Sequence, residues 1–257
     1  MPLLTDPGRL KRAARACMRT ASSPGADGVT WRDYRDGLDG RLAALARRLR
    51  DGTWRPGPVR VLTWPSDGKE LTAAIPTVED RIVHRAIRNC LEPILEAYAY
   101  PEWMFGWRPR RTRLDAIVYA LRYWDNERLW VADVDVAAAT SGGEIGDVVG
   151  WVARWAHDGG LLRIVRQALT GLPSPLAPGS GLTPLLTNLR LASVDAQLGH
   201  LNVVRVTDNY AVLCPGRPAA EFAYERIVDA LATADRAPNG RKSKVWQPNP
   251  EDLFLAG

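Results

Sequence analysis

A chain of 257 residues with 46% hydrophobic and 25% charged residues has the composition of a globular protein built as one large domain or two closely packed ones. It holds no run of about eighteen apolar residues and its first residues carry charge throughout, so neither a membrane-spanning helix nor a secretory leader is expected, and a cytoplasmic location is. Its 3 cysteines and 3 histidines are scattered, without zinc or disulfide spacing, and the net charge of +5 is uneven: residues 1–128 hold 23 Lys and Arg against 16 Asp and Glu, residues 129–257 hold 11 against 13.

The first predicted element is a basic helix over 6–21, with Asp6 as N-cap and Pro7 at the first helical position. Ser22 to Gly28 breaks it. Thr30 caps the next helix, whose apolar stripe is Leu38, Leu42, Leu45 and Leu49. After a turn from Gly52 to Pro58, Val59–Trp64 and Leu71–Ile75 alternate as strands of a hairpin closed by Pro65 to Lys69. A long helix over 77–97 follows, capped by Thr77, with Val78, Ile82, Ile87, Leu91 and Leu95 inward and a kink or break expected at Pro93. His84, one residue after Val83 inside this helix, reads as an ordinary residue.

Next comes an arginine cluster at Arg108, Arg110, Arg111 and Arg113. With Lys69 it supplies the candidate contacts to a nucleic-acid backbone, because each phosphate neutralised releases condensed counterions. Trp103 and Trp107 beside it are candidate stacking platforms for bases. A helix over 112–126 capped by Thr112 leads to the strand Leu129–Val136, which carries Asp133 and Asp135 on one face. Helices at 144–157 and 159–169, a loop from Pro173 to Gly181 and a helix at Thr183–Leu198 come next. Arg205–Leu213 reads as a hairpin turning at Thr207-Asp208-Asn209, and a helix at 219–234 precedes the final segment. The expected class is α+β, a small antiparallel sheet packed on helices, with regions 1–21, 22–128 and 129–257.

Several blocks in order carry a resemblance: Pro24-Gly25-Ala26-Asp27-Gly28, Asp67-Gly68-Lys69, Ile75-Pro76-Thr77-Val78-Glu79-Asp80-Arg81, Gly106-Trp107-Arg108-Pro109, Thr183-Pro184-Leu185-Leu186-Thr187-Asn188, Thr207-Asp208-Asn209, Asn239-Gly240-Arg241-Lys242-Ser243 and Leu253-Phe254-Leu255-Ala256-Gly257. Their order resembles the fingers and palm of reverse transcriptases of the bacterial, group II intron-like kind. The resemblance implies fingers over 22–128, a palm over 129–257 and no thumb. It implies two magnesium ions held by aspartates of two neighbouring strands, one activating a primer hydroxyl and one stabilising the triphosphate. Asp135 and Asp208 would be those ligands, and Lys242 the proton donor to pyrophosphate.

The chain departs from the family at the site itself. Asn209 stands where the family has its second hairpin aspartate. Ala137-Ala138-Ala139-Thr140 replaces a Phe-Phe-Asp-like segment. Leu71 stands at the fingers arginine that grips triphosphate, and Pro178 at the glutamine of a Pro-Gln-Gly loop. The resemblance therefore implies a catalytically inactive relative that acts as an RNA-binding or protein-binding scaffold, in a setting such as phage defence. It would need no cofactor, and magnesium only if polymerase activity remains. Two alternatives stand beside it: an active or impaired RNA-directed DNA polymerase that uses Asp133 with Asp135 and Asp208, and an oligomerising structural module. RNA, a protein partner or a second copy are the expected partners, and no membrane.

Overall fold

The computed structural model describes residues 2–19, 23–66, 69–123 and 129–248. The Asp67-Gly68 turn, the Lys69 side chain, the end of the 112–126 helix and the Leu253–Gly257 block lie outside the described residues. In chain order the elements are α1 (Pro2–Thr5), α2 (Pro7–Met18), α3 (Trp31–Arg35), α4 (Leu38–Asp51), β1 (Arg60–Ser66), β2 (Lys69–Ile75), α5 (Val78–Tyr98) and α6 (Arg113–Ala120). There follow β3 (Trp130–Asp135), α7 (Ile145–Ala153), α8 (Gly159–Thr170), α9 (Thr183–Leu198), β4 (Val203–Val206), β5 (Asn209–Cys214), α10 (Arg217–Ala232) and β6 (Lys244–Trp246). The class is α+β with antiparallel sheets.

The chain forms two compact units, each made of two segments: 1–97 with 140–186, and 98–139 with 187–257. They do not follow the continuous regions expected from the sequence. Long-range pairing is the reason. β3 bonds to β5 and β6, which lie far along the chain, and a bridge from Met104 to Arg205 ties the segment before α6 to β4. Residues 140–186 instead join the first unit, where the Pro178 carbonyl accepts from the Ala74 N–H at 2.7 Å and Arg163 donates to the Leu49 carbonyl.

In the first unit, Asp6 caps α2 by accepting from the Arg9 N–H at 2.7 Å. Thr30 and Asp33 form a reciprocal capping box on α3. The helix expected to run on from Thr30 stops after one turn, because Asp36 is extended and Gly37 takes φ +67°. A separate α4 then buries Leu42, Leu45 and Leu49. α5 runs unbroken through Pro93, a position that costs about 3 kcal/mol in a helix. Leu91 and Leu95, fully buried on either side of it, offset that cost. Thr77 holds the start of α5 by accepting from the Asp80 N–H and donating to its carboxylate, which also accepts from the Gly57 N–H at 3.0 Å.

The second unit is a four-stranded sheet in the order β4-β5-β3-β6. Strand alternation sorts its side chains. Ala132, Val134, Tyr210, Val212 and Cys214 face a core with Leu191, Val194, Leu198 and Ile227 from α9 and α10. Val131, Ala211 and Leu213 face the other way, against Phe105 and against Ala116 and Ala120 of α6. Asp133, Asp135 and Asn209 share the parity of this second face. α6 is shorter than expected and passes into a 3-10 turn at Leu121–Tyr123.

Candidate functional site

The β4–β5 hairpin is tighter than the sequence suggests. Val206 pairs with Asn209, so only Thr207 and Asp208 form the loop, and Asn209 is the first residue of β5 rather than part of the turn. Thr207 takes φ +56°, a strained value for a β-branched residue. Its hydroxyl, with one proton to donate, lies within hydrogen-bond distance of two acceptors, the Val206 carbonyl at 2.7 Å and the Asp208 carboxylate at 2.9 Å. The Val136 N–H donates to the Asp208 carbonyl at 2.9 Å, which sets the loop beside the end of β3. In register, Asp135 lies directly opposite Asn209, and Asp133 opposite Ala211 on β5 and Lys244 on β6. Of the candidate ligands, Asp135 thus ends β3, and Asp208 sits in the β4–β5 loop beside that end rather than on a strand.

The partners of these carboxylates decide what they can do. The Asp135 carboxylate accepts from the Asn239 side-chain amide at 3.0 Å and lies 3.5 Å from the Lys242 ammonium. The block Asn239–Ser243 wraps this strand end: the Asn239 N–H donates to the Asp135 carbonyl, and the Asp135 N–H donates to the Ser243 hydroxyl. Asp133 is pushed above the usual carboxylate range, first by burial and further by the Asp135 charge, while an Asn209 hydrogen bond and the Lys244 charge oppose the rise. Among the described residues, no group of three or more His, Cys, Asp or Glu side chains is placed to hold a metal ion.

Magnesium asks for near-octahedral oxygen ligation, with one or two carboxylates beside waters and substrate phosphates, and a pair of ions needs such a set twice. Here amides of Asn209 and Asn239 and ammonium groups of Lys242 and Lys244 stand among the carboxylates. This donor set does not fit a divalent ion pair. Ala138, at the segment where the family has aromatic residues, is exposed and takes φ +52°. Ala139 is buried, and its carbonyl accepts from Arg190. Of the other departures, Leu71 is 43% exposed and opposite Trp64 in the first unit, and Pro178 is fastened to β2 by its carbonyl.

A buried polar network behind the hairpin was not legible as a site. Arg205, with no exposed surface, donates to Asp195 at 2.7 Å, to Asn188 at 3.0 Å and to the Thr207 carbonyl at 2.6 Å, and contacts the Met104 sulfur. Tyr210 donates to the second Asp195 oxygen at 2.8 Å, and Asn188 donates to the Gly106 carbonyl. The charge pair is closed inside low dielectric, where loss of one partner costs about 3–5 kcal/mol. A signal was present: an arginine inside the apolar run Val203-Val204-Arg205-Val206 needs a buried partner. Gly106 is required because a Cβ there would overlap the Thr207 backbone.

The arginine cluster divides. Arg108 is not a surface contact: it is 8% exposed and donates to the Pro101 and Met104 carbonyls at 2.7 and 2.9 Å, so it braces the 101–104 turn. Arg110 and Arg113 are exposed, and Arg111 lies over the Phe105 ring at 5.4 Å. Trp103 is in the core and cannot stack on a base, whereas Trp107 is half-buried.

Over 221 residues the chain is 30% identical to Protein YkfC of Escherichia coli K12, covering 76% of this chain and 56% of that protein. Over 180 residues it is 24% identical to the group II intron-encoded protein LtrA of Lactococcus lactis subsp. cremoris, covering 63% of this chain and 29% of LtrA. No family model matches. The chain thus spans about half the length of the first relative and under a third of the second. It is similar, distantly and over part of their length, to a group II intron-encoded protein.

Proposed function

We propose that this chain is a reverse-transcriptase-like protein that has lost polymerase chemistry and serves as an RNA-binding scaffold. The observation that carries this reading is the cross-strand pair of Asp135 and Asn209, with Asp135 held by the Asn239 amide and faced by Lys242. An amide offers one neutral oxygen where the chemistry needs an anion. Loss of one preorganised electrostatic group costs a polymerase site about a hundred- to a thousandfold in rate. The reading of Asp133 as a replacement ligand is disfavoured, because its carboxyl is partly buried and receives a hydrogen bond from Asn209.

Primer extension on an RNA template with magnesium or manganese tests the proposal. No extension is expected, and Asn209→Asp alone is expected to restore none, since Leu71 and Pro178 also depart from the family. Extension that Asp135→Ala abolishes would sink the reading.

A further inference from the structure

A cavity of about 460 Å³ lies inside the first unit, walled by α2, the start of α3, β2, α5 and the 179–181 loop. It lies within the range of about 300–1,000 Å³ found for small-ligand pockets. Its charged wall is Arg81, Arg85 and Arg88, spaced four and three residues apart on one face of α5. Among the described residues no Asp or Glu lines it. Most of the remaining wall is apolar, with Ala16 of α2, residues 73–76 and the Trp31 indole.

The three guanidinium groups differ in what they already hold. Arg81 donates to the Pro76 carbonyl at 2.9 Å and to the Ser23 carbonyl at 2.6 Å, which makes it a structural brace. Arg88 is paired with Glu92, and its other terminal nitrogen reaches the Gly181 carbonyl. Arg85 donates only its Nε, to Asn89 at 3.1 Å; its two terminal nitrogens have no acceptor among the described residues. A guanidinium with that edge open matches the oxygens of a phosphate in a two-bond contact. The field in the cavity has the same sign: at the Cys17 thiol, all three arginines oppose the upward push of burial.

We propose that this cavity is a binding site for a phosphate monoester joined to a planar body, mononucleotide in size, with Arg85 holding the phosphate and Trp31 beside the planar group. A monoester carries close to two negative charges at neutral pH; of the three cations, Arg88 is paired with Glu92 and Arg81 stands in the field of Asp27 and Asp80, which leaves Arg85 as the cation for the phosphate. The apolar remainder disfavours inorganic phosphate alone. The site contains none of Asp133, Asp135, Asp208 or Asn209, so it stands or falls apart from the polymerase reading. The same chemistry is offered by a free mononucleotide and by the 5′-phosphate of an RNA.

Calorimetric titration of the full chain with AMP, adenosine, and a short RNA with or without a 5′-phosphate tests this. AMP is expected to bind one to one and adenosine about tenfold more weakly or worse, as befits loss of charge-assisted hydrogen bonds. Arg85→Gln is expected to weaken AMP by a similar factor without moving the unfolding midpoint. Ala16→Leu, a change within α2, fills the cavity and should weaken AMP without touching a charge. If the 5′-phosphorylated RNA competes with AMP, the terminus of an RNA is the source; if it does not, the free nucleotide is the ligand. Adenosine binding as tightly as AMP, absence of binding by both AMP and phosphorylated RNA, or two variants that bind as wild type would overturn the proposal.

Discussion

His84 sits wholly inside the first unit, and burial holds its imidazole down from an ordinary 6.5 to about 4, with the Arg81 charge pushing the same way. An unfolded chain takes up that proton near pH 6.5; the folded chain takes it up only near pH 4. Between these values the unfolded state binds more protons, so stability rises with pH across the window and is lost as pH falls through it. The contribution is about 3 kcal/mol over the window. Urea unfolding at stepped pH should show it, and the difference between wild type and His84→Leu should flatten below pH 4 and above pH 6.5. A difference curve that is level throughout would mean that His84 titrates normally. The sequence marked His84 only as an ordinary helical residue; its burial and the shift that follows depend on packing that its neighbours in sequence do not reveal.

At the scale of elements, the hairpin that carries Asp208 is set by contacts from distant segments. Gly106 lets the chain before α6 lie against Thr207, and Asn188 and Arg205 tie both to α9 and β4. Gly106→Ala puts a methyl group into the Thr207 backbone and should lower stability by about 1–3 kcal/mol, as overpacking does. Gly40, inside α4, has open space where a Cβ would stand. Gly40→Ala should therefore raise stability by about 0.5–1 kcal/mol. Opposite signs in denaturant midpoints at unchanged slope would support both assignments; equal signs would contradict one of them. Several of the family-like blocks meet in this way. Gly25 lies against Thr77, Pro178 and Gly179 lie against Ala74, and the Asn239–Ser243 block surrounds Asp135.

At the scale of the molecule, the charge divides by unit rather than by half-chain. Residues 1–97 with 140–186 hold 20 Lys and Arg against 15 Asp and Glu, and the other unit holds 14 against 14, so the whole net charge of +5 belongs to the first. Single-stranded RNA is expected to bind with an affinity that falls with salt, by about 0.7 in log–log slope for each phosphate neutralised. Replacing Arg110, Arg111 and Arg113 together with Ala should lower both affinity and slope, measured by fluorescence anisotropy over a salt series. Arg108 is left out because its loss would release the 101–104 turn. Salt-independent binding, or a triple variant equal to wild type, would move attention to protein contacts. The exposed Leu114 and Val118 of α6, with Leu121 after it, form an apolar stripe suited to them.

Sequence alone determined the elements whose causes are local. Asp6, Thr30 and Thr112 start helices because their side chains accept nearby N–H groups, and the apolar spacing of α5 names its buried face without the help of neighbours. The α+β class followed from the same periodicities. Tertiary structure decided what depends on chain segments far apart: that α3 and α4 are separate, that two discontinuous units replace continuous regions, and that Asn209 faces Asp135 across a strand pair instead of sitting in a turn. It also decided that Arg108 is a brace, while Arg85, one of three arginines on α5, opens into a cavity. The physical reason is the same in each case. A cap or an amphipathic stripe is encoded within a few residues, whereas burial and the partner of a charge are set by whichever distant segment packs against it.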